Sequence, residues 1–185
     1  MTNQESYHDY MLRRLREERY MSDWHEYTGP GSLYEQNRNK WDKRFMEQAK
    51  LIATWSKDPS SKIGAVIVND ERRILATGYN GFPRGIEDSE ERLNNREEKY
   101  PRIIHAEMNA LMNALYNGVS VKDSTLYVYG LPVCPDCTKC IIQAGIKRVV
   151  IPAEKTDKGN WQEIWETQSS EMFKESGVQI TLLEL

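Results

Sequence analysis

Cysteine is scarce in this 185-residue chain: three copies, all between Cys134 and Cys140. A secreted disulfide framework spreads its cysteines, so the clustering excludes one and suits metal binding in a reducing compartment, the cytoplasm. No apolar run approaches the roughly 20 residues needed to span a bilayer, and the N-terminus has no apolar core like that of a signal peptide. A soluble chain without a membrane partner is therefore expected. Neither sign of charge dominates: 25 Lys and Arg stand against 28 Asp and Glu, a formal net charge of −3. No general field draws a polyanion, so long nucleic acid is not an expected partner. Internal repeats and low-complexity tracts are also missing.

The length fits one globular domain plus an appendage. Residues 1–39 are polar, with a thin apolar stripe of Met11, Leu12, Leu15 and Tyr20 and a breaker at Thr28-Gly29-Pro30-Gly31-Ser32, and read as an arm. Residues 40–185 read as the domain. Trp41, Phe45, Ala49 and Ile52 recur at helical spacing, and Asp58-Pro59 is expected to end that helix. Ile63 to Val68 and Arg73 to Tyr79 read as a hairpin turning at Asn69 to Arg72, and Gly81 to Arg102 as a long polar loop. A helix from Ala106 to Tyr116, a strand from Thr125 to Tyr129 and a helix from Cys134 to about Ala144 follow. Lys147 to Ile151 (strand), Trp161 to Glu175 (helix) and Val178 to Leu183 (strand) complete the chain. The alternation predicts an α/β fold with right-handed crossovers and a mixed, largely parallel sheet covered on both faces.

Four residues carry the chemistry. His105 and Glu107 stand in His105-Ala106-Glu107, and Cys134 and Cys137 in Cys134-Pro135-Asp136-Cys137. One histidine and two cysteines supply three zinc ligands, and three rather than four keep a coordination position for a water, whose pKa the metal lowers to about 7. Cysteines at i and i+3 at a helix start point one way, and the helix dipole favours their thiolates. H-x-E followed by C-x-x-C is the pattern of zinc nucleobase deaminases, in which the glutamate carries protons and is not a ligand. Glu107 would shuttle a proton from the water to the ring nitrogen and a second to the departing amine. The competing reading is a closed structural site with Cys140 as fourth ligand, or a non-catalytic zinc-binding module; an acid two residues from a ligand speaks for the open site.

With Ser56-Lys57-Asp58-Pro59, Gly78-Tyr79-Asn80-Gly81, Tyr100-Pro101, His105-Ala106-Glu107-Met108-Asn109-Ala110 and Ile141-Ile142-Gln143-Ala144-Gly145-Ile146, the chain from about Trp41 onward resembles the deoxycytidylate deaminases of the cytidine deaminase superfamily. The resemblance implies a three-layer α/β/α sandwich around a mixed five-stranded sheet and a homo-oligomer, commonly a hexamer. It implies hydrolytic deamination of dCMP to dUMP and ammonia, supplying dUMP for thymidylate synthesis. Deamination of dCTP or of a base-modified dCMP stays open as the alternative, with tRNA adenosine behind it. Asn80 is implied to hydrogen-bond the sugar, and Ala106 and Tyr127 to line the pocket. A 5'-phosphate needs a cation nearby, for which Lys57 and Arg102 are the candidates. Activation by dCTP with Mg2+ and inhibition by dTTP are implied as well, although Ile86 stands where relatives often have a cysteine in the segment tied to that regulation. Val133 replaces the usual proline before the first cysteine. With no Cys or His in residues 81–102, one zinc per chain is expected.

Overall fold

The computed structural model describes residues 33–185, so the stretch from Met1 to Ser32, with most of the expected arm, lies outside the described residues. Helix α1, Leu33–Ala53, starts inside that expected arm. From Asp42 onward the chain forms one compact unit, to which the following description applies.

Phe45, Met46, Ala49, Ile52 and Ala53 of α1 are buried. The helix stops before Asp58-Pro59 because the amides of Thr54, Trp55 and Ser56 tighten to carbonyls three residues back, at Leu51, Ile52 and Ala53. Polar side chains then hold the following loop: Ser56 Oγ accepts from Asp58 N (3.2 Å), and Asp58 Oδ1 from Ser60 N (2.7 Å).

The five-stranded sheet comprises β1 (Gly64–Val68), β2 (Ile74–Tyr79), β3 (Thr125–Tyr129), β4 (Arg148–Pro152) and β5 (Gln179–Leu183), in the order β2-β1-β3-β4-β5. β1 runs antiparallel to β2 and to β3, whereas β3, β4 and β5 are parallel. Every residue of β1 is buried, as its unbroken apolar run requires of an interior strand. At the hairpin Asn69 Oδ1 accepts from Arg73 N (2.9 Å), and Arg72 takes the left-handed turn at φ 65°.

Side chains sort by parity onto two faces. Ala65, Ile67, Leu126, Val128, Val149 and Ile151 join one apolar cluster with α4 (Ala106–Tyr116), α5 (Pro135–Gln143) and the C-terminal helical segment. The opposite face receives α1. Two glycines permit this closeness. A Cβ on Gly64 would collide with the backbone of Ala49 and Ala53, and one on Gly78 with Ala106 and Ala110. Helix thus covers each face of the sheet, giving three layers.

Two expectations change. The stretch Gly81 to Arg102 is not one loop: it holds α2 (Glu90–Asn94) and α3 (Arg96–Lys99), too short to show a helical period in sequence, with Asn95 capping α3 through Glu97 N. The helix expected from Trp161 to Glu175 is interrupted: α6 (Trp161–Ile164) runs into a π-turn at Trp165–Ser169 before α7 (Ser170–Ser176).

Candidate active site

Two helix N-termini meet at one end of the sheet. His105 caps α4 in extended conformation and Cys134 caps α5 likewise, while Cys137 lies within the first turn of α5. The sequence expected Cys134 inside the helix; as a cap its sulfur instead accepts the Cys137 amide (3.4 Å). His105 Nδ1 lies 3.2 Å from Cys134 Sγ and 3.6 Å from Cys137 Sγ, and the ligating atoms all fall within 4.8 Å of one another. Zinc bonded at about 2.3 Å to sulfur and 2.0 Å to nitrogen in a tetrahedron sets N···S separations near 3.5 Å, so this donor set fits that ion. Cys140 is outside the group and packs half-buried against the apolar cluster, which leaves three protein ligands.

The trio shares charge closely. Hydrogen bonding from Cys137, with help from His105, draws the Cys134 thiol down to about 4 against the opposing effect of burial. The same Cys134 sulfur raises Cys137, as burial does, and holds the His105 imidazolium up to about 9. Glu107, on the first turn of α4, is 3% exposed. Burial pushes its carboxyl up to about 7, opposed by the charge of His105. A carboxyl in that range both accepts and returns a proton at neutral pH.

His105, Ala106 and Glu107 form one wall of a cavity of about 460 Å³, and Asn80 lines it too. Asn80 is buried and occupied: Oδ1 accepts from Ile63 N (2.8 Å), and Nδ2 donates to Ser61 O (2.8 Å) and Asp58 Oδ2 (3.4 Å). The structure does not bring the other three expected contacts to this cavity. Tyr127 points to the opposite face of the sheet, where its hydroxyl donates to Asp42 Oδ1 (2.8 Å) and its ring meets Phe45; side chains alternate along a strand, and this one falls on the α1 side. Lys57 sits outside, paired with Asp88 (2.9 Å), and Arg102 bonds back to Glu98 (3.1 Å) on its own segment.

Sequence reasoning missed the cations that do line the cavity: Arg96, Lys99 and Lys158. Lys99 is 5% exposed and donates to Asp58 Oδ1 (3.1 Å) and Ser60 Oγ (3.0 Å). Its only sequence signal was its place beside Tyr100-Pro101. Trp161 also lines the cavity, with its ring centroid 6.1 Å from that of His105.

A mixed sheet sandwiched by helices, with a His–Cys–Cys trio at two converging helix N-termini and a buried carboxyl beside it on a cavity wall, is the arrangement of a zinc hydrolase. The chain belongs to the cytidine and deoxycytidylate deaminase family, whose zinc-binding region model matches residues 39–153. It is 40% identical over 148 residues to an uncharacterized deaminase of Aliivibrio fischeri, covering 80% of this chain and 96% of that one. It is 45% identical over 121 residues to human deoxycytidylate deaminase, covering 63% of this chain and 66% of the human one. A dCMP deaminase from the cyanophage S-TIM5, solved with dCMP and dUMP, superposes with a TM-score of 0.61 at 29% identity, over 76% of this chain and 95% of that one. Among the described residues no helix is long and apolar enough to cross a membrane.

Proposed function

We propose that this chain hydrolyses dCMP to dUMP and ammonia, with His105, Cys134 and Cys137 holding one zinc ion. The observation that carries the reading is Glu107, buried beside the metal-binding trio on the wall of a nucleotide-sized cavity with cations along it. Bound zinc supplies a Lewis acid that lowers the pKa of a water to about 7. Glu107 takes a proton from the attacking water and gives it to N3 of the ring as the C4–O bond forms. It then carries the water's second proton to the amine as the C4–N bond breaks, so ammonia leaves and Glu107 returns to its starting state. Burial of Glu107 excludes bulk water from this relay.

Next to the relay the Ala106 backbone, at the start of α4, faces the base, and beyond it Asn80 faces the sugar with its amide held by Ile63, Ser61 and Asp58. The 5'-phosphate falls to Arg96, Lys99 and Ser60 rather than to Lys57 and Arg102. Arg96 lines the cavity and, among the described residues, makes no ion pair; its guanidinium lies only over the Tyr100 ring (5.6 Å). The same reading includes a cytoplasmic location, which the free cysteines favour. It also includes a homo-oligomer, for which the exposed Leu115 and Tyr116 speak, and control by dCTP with Mg2+ and by dTTP.

The test is ammonia release by purified, zinc-loaded protein from dCMP, CMP, dCTP and deoxycytidine side by side, with and without dCTP·Mg2+ or dTTP. Turnover confined to dCMP is expected; silence on all four, or preference for dCTP, overturns the assignment.

A further inference from the structure

One wall of the cavity is a strap. Between β4 and α6 the chain has no regular structure, and Lys158, Gly159, Asn160 and Trp161 face the cavity in succession. Residues 157–160 are exposed, and the segment is held locally by Lys158 N to Thr156 Oγ1 (3.2 Å), Thr156 N to Gln162 Oε1 (3.3 Å), Lys155 Nζ to Glu166 Oε1 (2.7 Å), and the backbone bonds Trp161 N to Lys158 O (3.3 Å) and Ile164 N to Asn160 O (3.0 Å). Its tie across the cavity is the Lys158 ammonium, which donates to Ser60 O and Ser61 Oγ, each at 3.0 Å, on the loop after α1. Both acceptors are neutral, and among the described residues Lys158 has no carboxylate partner. An ammonium held by two neutral oxygens exchanges them readily for an anion, because charge-assisted hydrogen bonds are roughly twice as strong. The strap leads into α6 and the π-turn, where Ser169 Oγ is buried without a partner. Trp161 opens α6, and its ring stands beside that of His105 (6.1 Å between centroids).

We infer that Lys158 is a phosphate-sensing latch: it leaves Ser60 and Ser61 for the substrate's phosphate and so closes Trp161 over the base at the reaction centre. The inference rests on the nucleotide reading above and adds its specificity device. A phosphate-free nucleoside gives Lys158 nothing to exchange for, and the strap stays as it is. Lys158 is thus a binding and positioning residue, separate from the proton relay of Glu107.

The test uses the zinc-loaded full chain with dUMP, deoxyuridine and inorganic phosphate as probes, so that binding is read without turnover. Calorimetry gives affinity, and tryptophan fluorescence reports closure, assigned to Trp161 by its loss in Trp161→Phe. Expected is a fluorescence change with dUMP but not with deoxyuridine or phosphate alone, dUMP affinity at least tenfold weaker in Lys158→Gln with the change abolished, and both restored in Lys158→Arg. A wild-type fluorescence unmoved by dUMP, a change equally produced by deoxyuridine, or a loss of affinity under tenfold in Lys158→Gln overturns the latch. Exposure of Lys158 keeps folding out of the comparison, and Lys158→Arg checks it. Ammonia release from dCMP by the same wild-type preparation separates the failures: its absence sinks the substrate reading, whereas release together with normal dUMP binding by Lys158→Gln sinks the latch alone.

Discussion

On the proposed reading His105, Cys134 and Cys137 hold the metal and Glu107 moves protons, so replacing Glu107 separates chemistry from metal binding. Glu107→Gln keeps shape and hydrogen bonding but cannot exchange protons; kcat for dCMP is expected to fall by about 10²–10⁴ or more with zinc content unchanged, measured by steady-state kinetics and metal analysis. Lys57 and Lys99 make a second contrast. Lys57 is an exposed partner of Asp88, and Lys57→Ala is expected to alter stability by no more than about 0.5 kcal/mol and KM for dCMP less than twofold. Lys99 is buried against Asp58, so Lys99→Met leaves a buried carboxylate unpaired. That loss is expected to cost about 3–5 kcal/mol in a denaturant titration and to raise KM for dCMP in the folded fraction. Sequence could not separate these lysines, because both lie in charged polar segments and only the fold buries one.

At the scale of elements, the site depends on how tightly α4 and α1 seat on the sheet. Gly78 admits the backbone of α4 against β2, and Asn109 Nδ2 and Asn113 Nδ2 donate to Tyr79 O and Thr77 O, each at 2.8 Å. Gly78→Ala forces α4 away and shifts His105 with it; loss of activity together with a fall in thermal midpoint of several degrees is expected, read by calorimetry. On the other face Arg148 bridges Asp42 through Nη1 (3.0 Å) and Nη2 (2.5 Å), while Tyr127 holds the same carboxylate. Burial, reinforced by Asp42, holds the Tyr127 hydroxyl well above the usual tyrosine range. Arg148→Ala leaves Asp42 buried without its cationic partner, held by Tyr127 through one hydrogen bond, and is expected to cost about 3–5 kcal/mol in chemical denaturation, with metal content of the folded protein unaffected. The strands and α4 were legible from period and β-branched runs. α2 and α3 were not, since four or five residues make too little of a helical period, and neither was the π-turn, which no local residue pattern announces.

For the molecule as a whole, zinc held as proposed by His105, Cys134 and Cys137 would cross-link two helix starts, His105 lying 29 residues from Cys134 and 32 from Cys137. An ion present at about 1,000 times its dissociation constant adds roughly 4 kcal/mol to the folded state. Chelation is therefore expected to lower the thermal midpoint and abolish turnover together, and zinc but not Mg2+ to restore both. The reaction class was legible in the sequence alone, because metal ligation and proton transfer demand particular side chains, and H-x-E with C-x-x-C supplies them. What surrounds the substrate was decided only by tertiary structure. Strand parity sent Tyr127 to the α1 face, burial set Lys99 apart from Lys57, and a strap bonded to Ser60 from 98 residues away in sequence lines the cavity. A cavity wall is assembled from distant segments, each obeying its own local rule, and the rules combine only when the chain has folded.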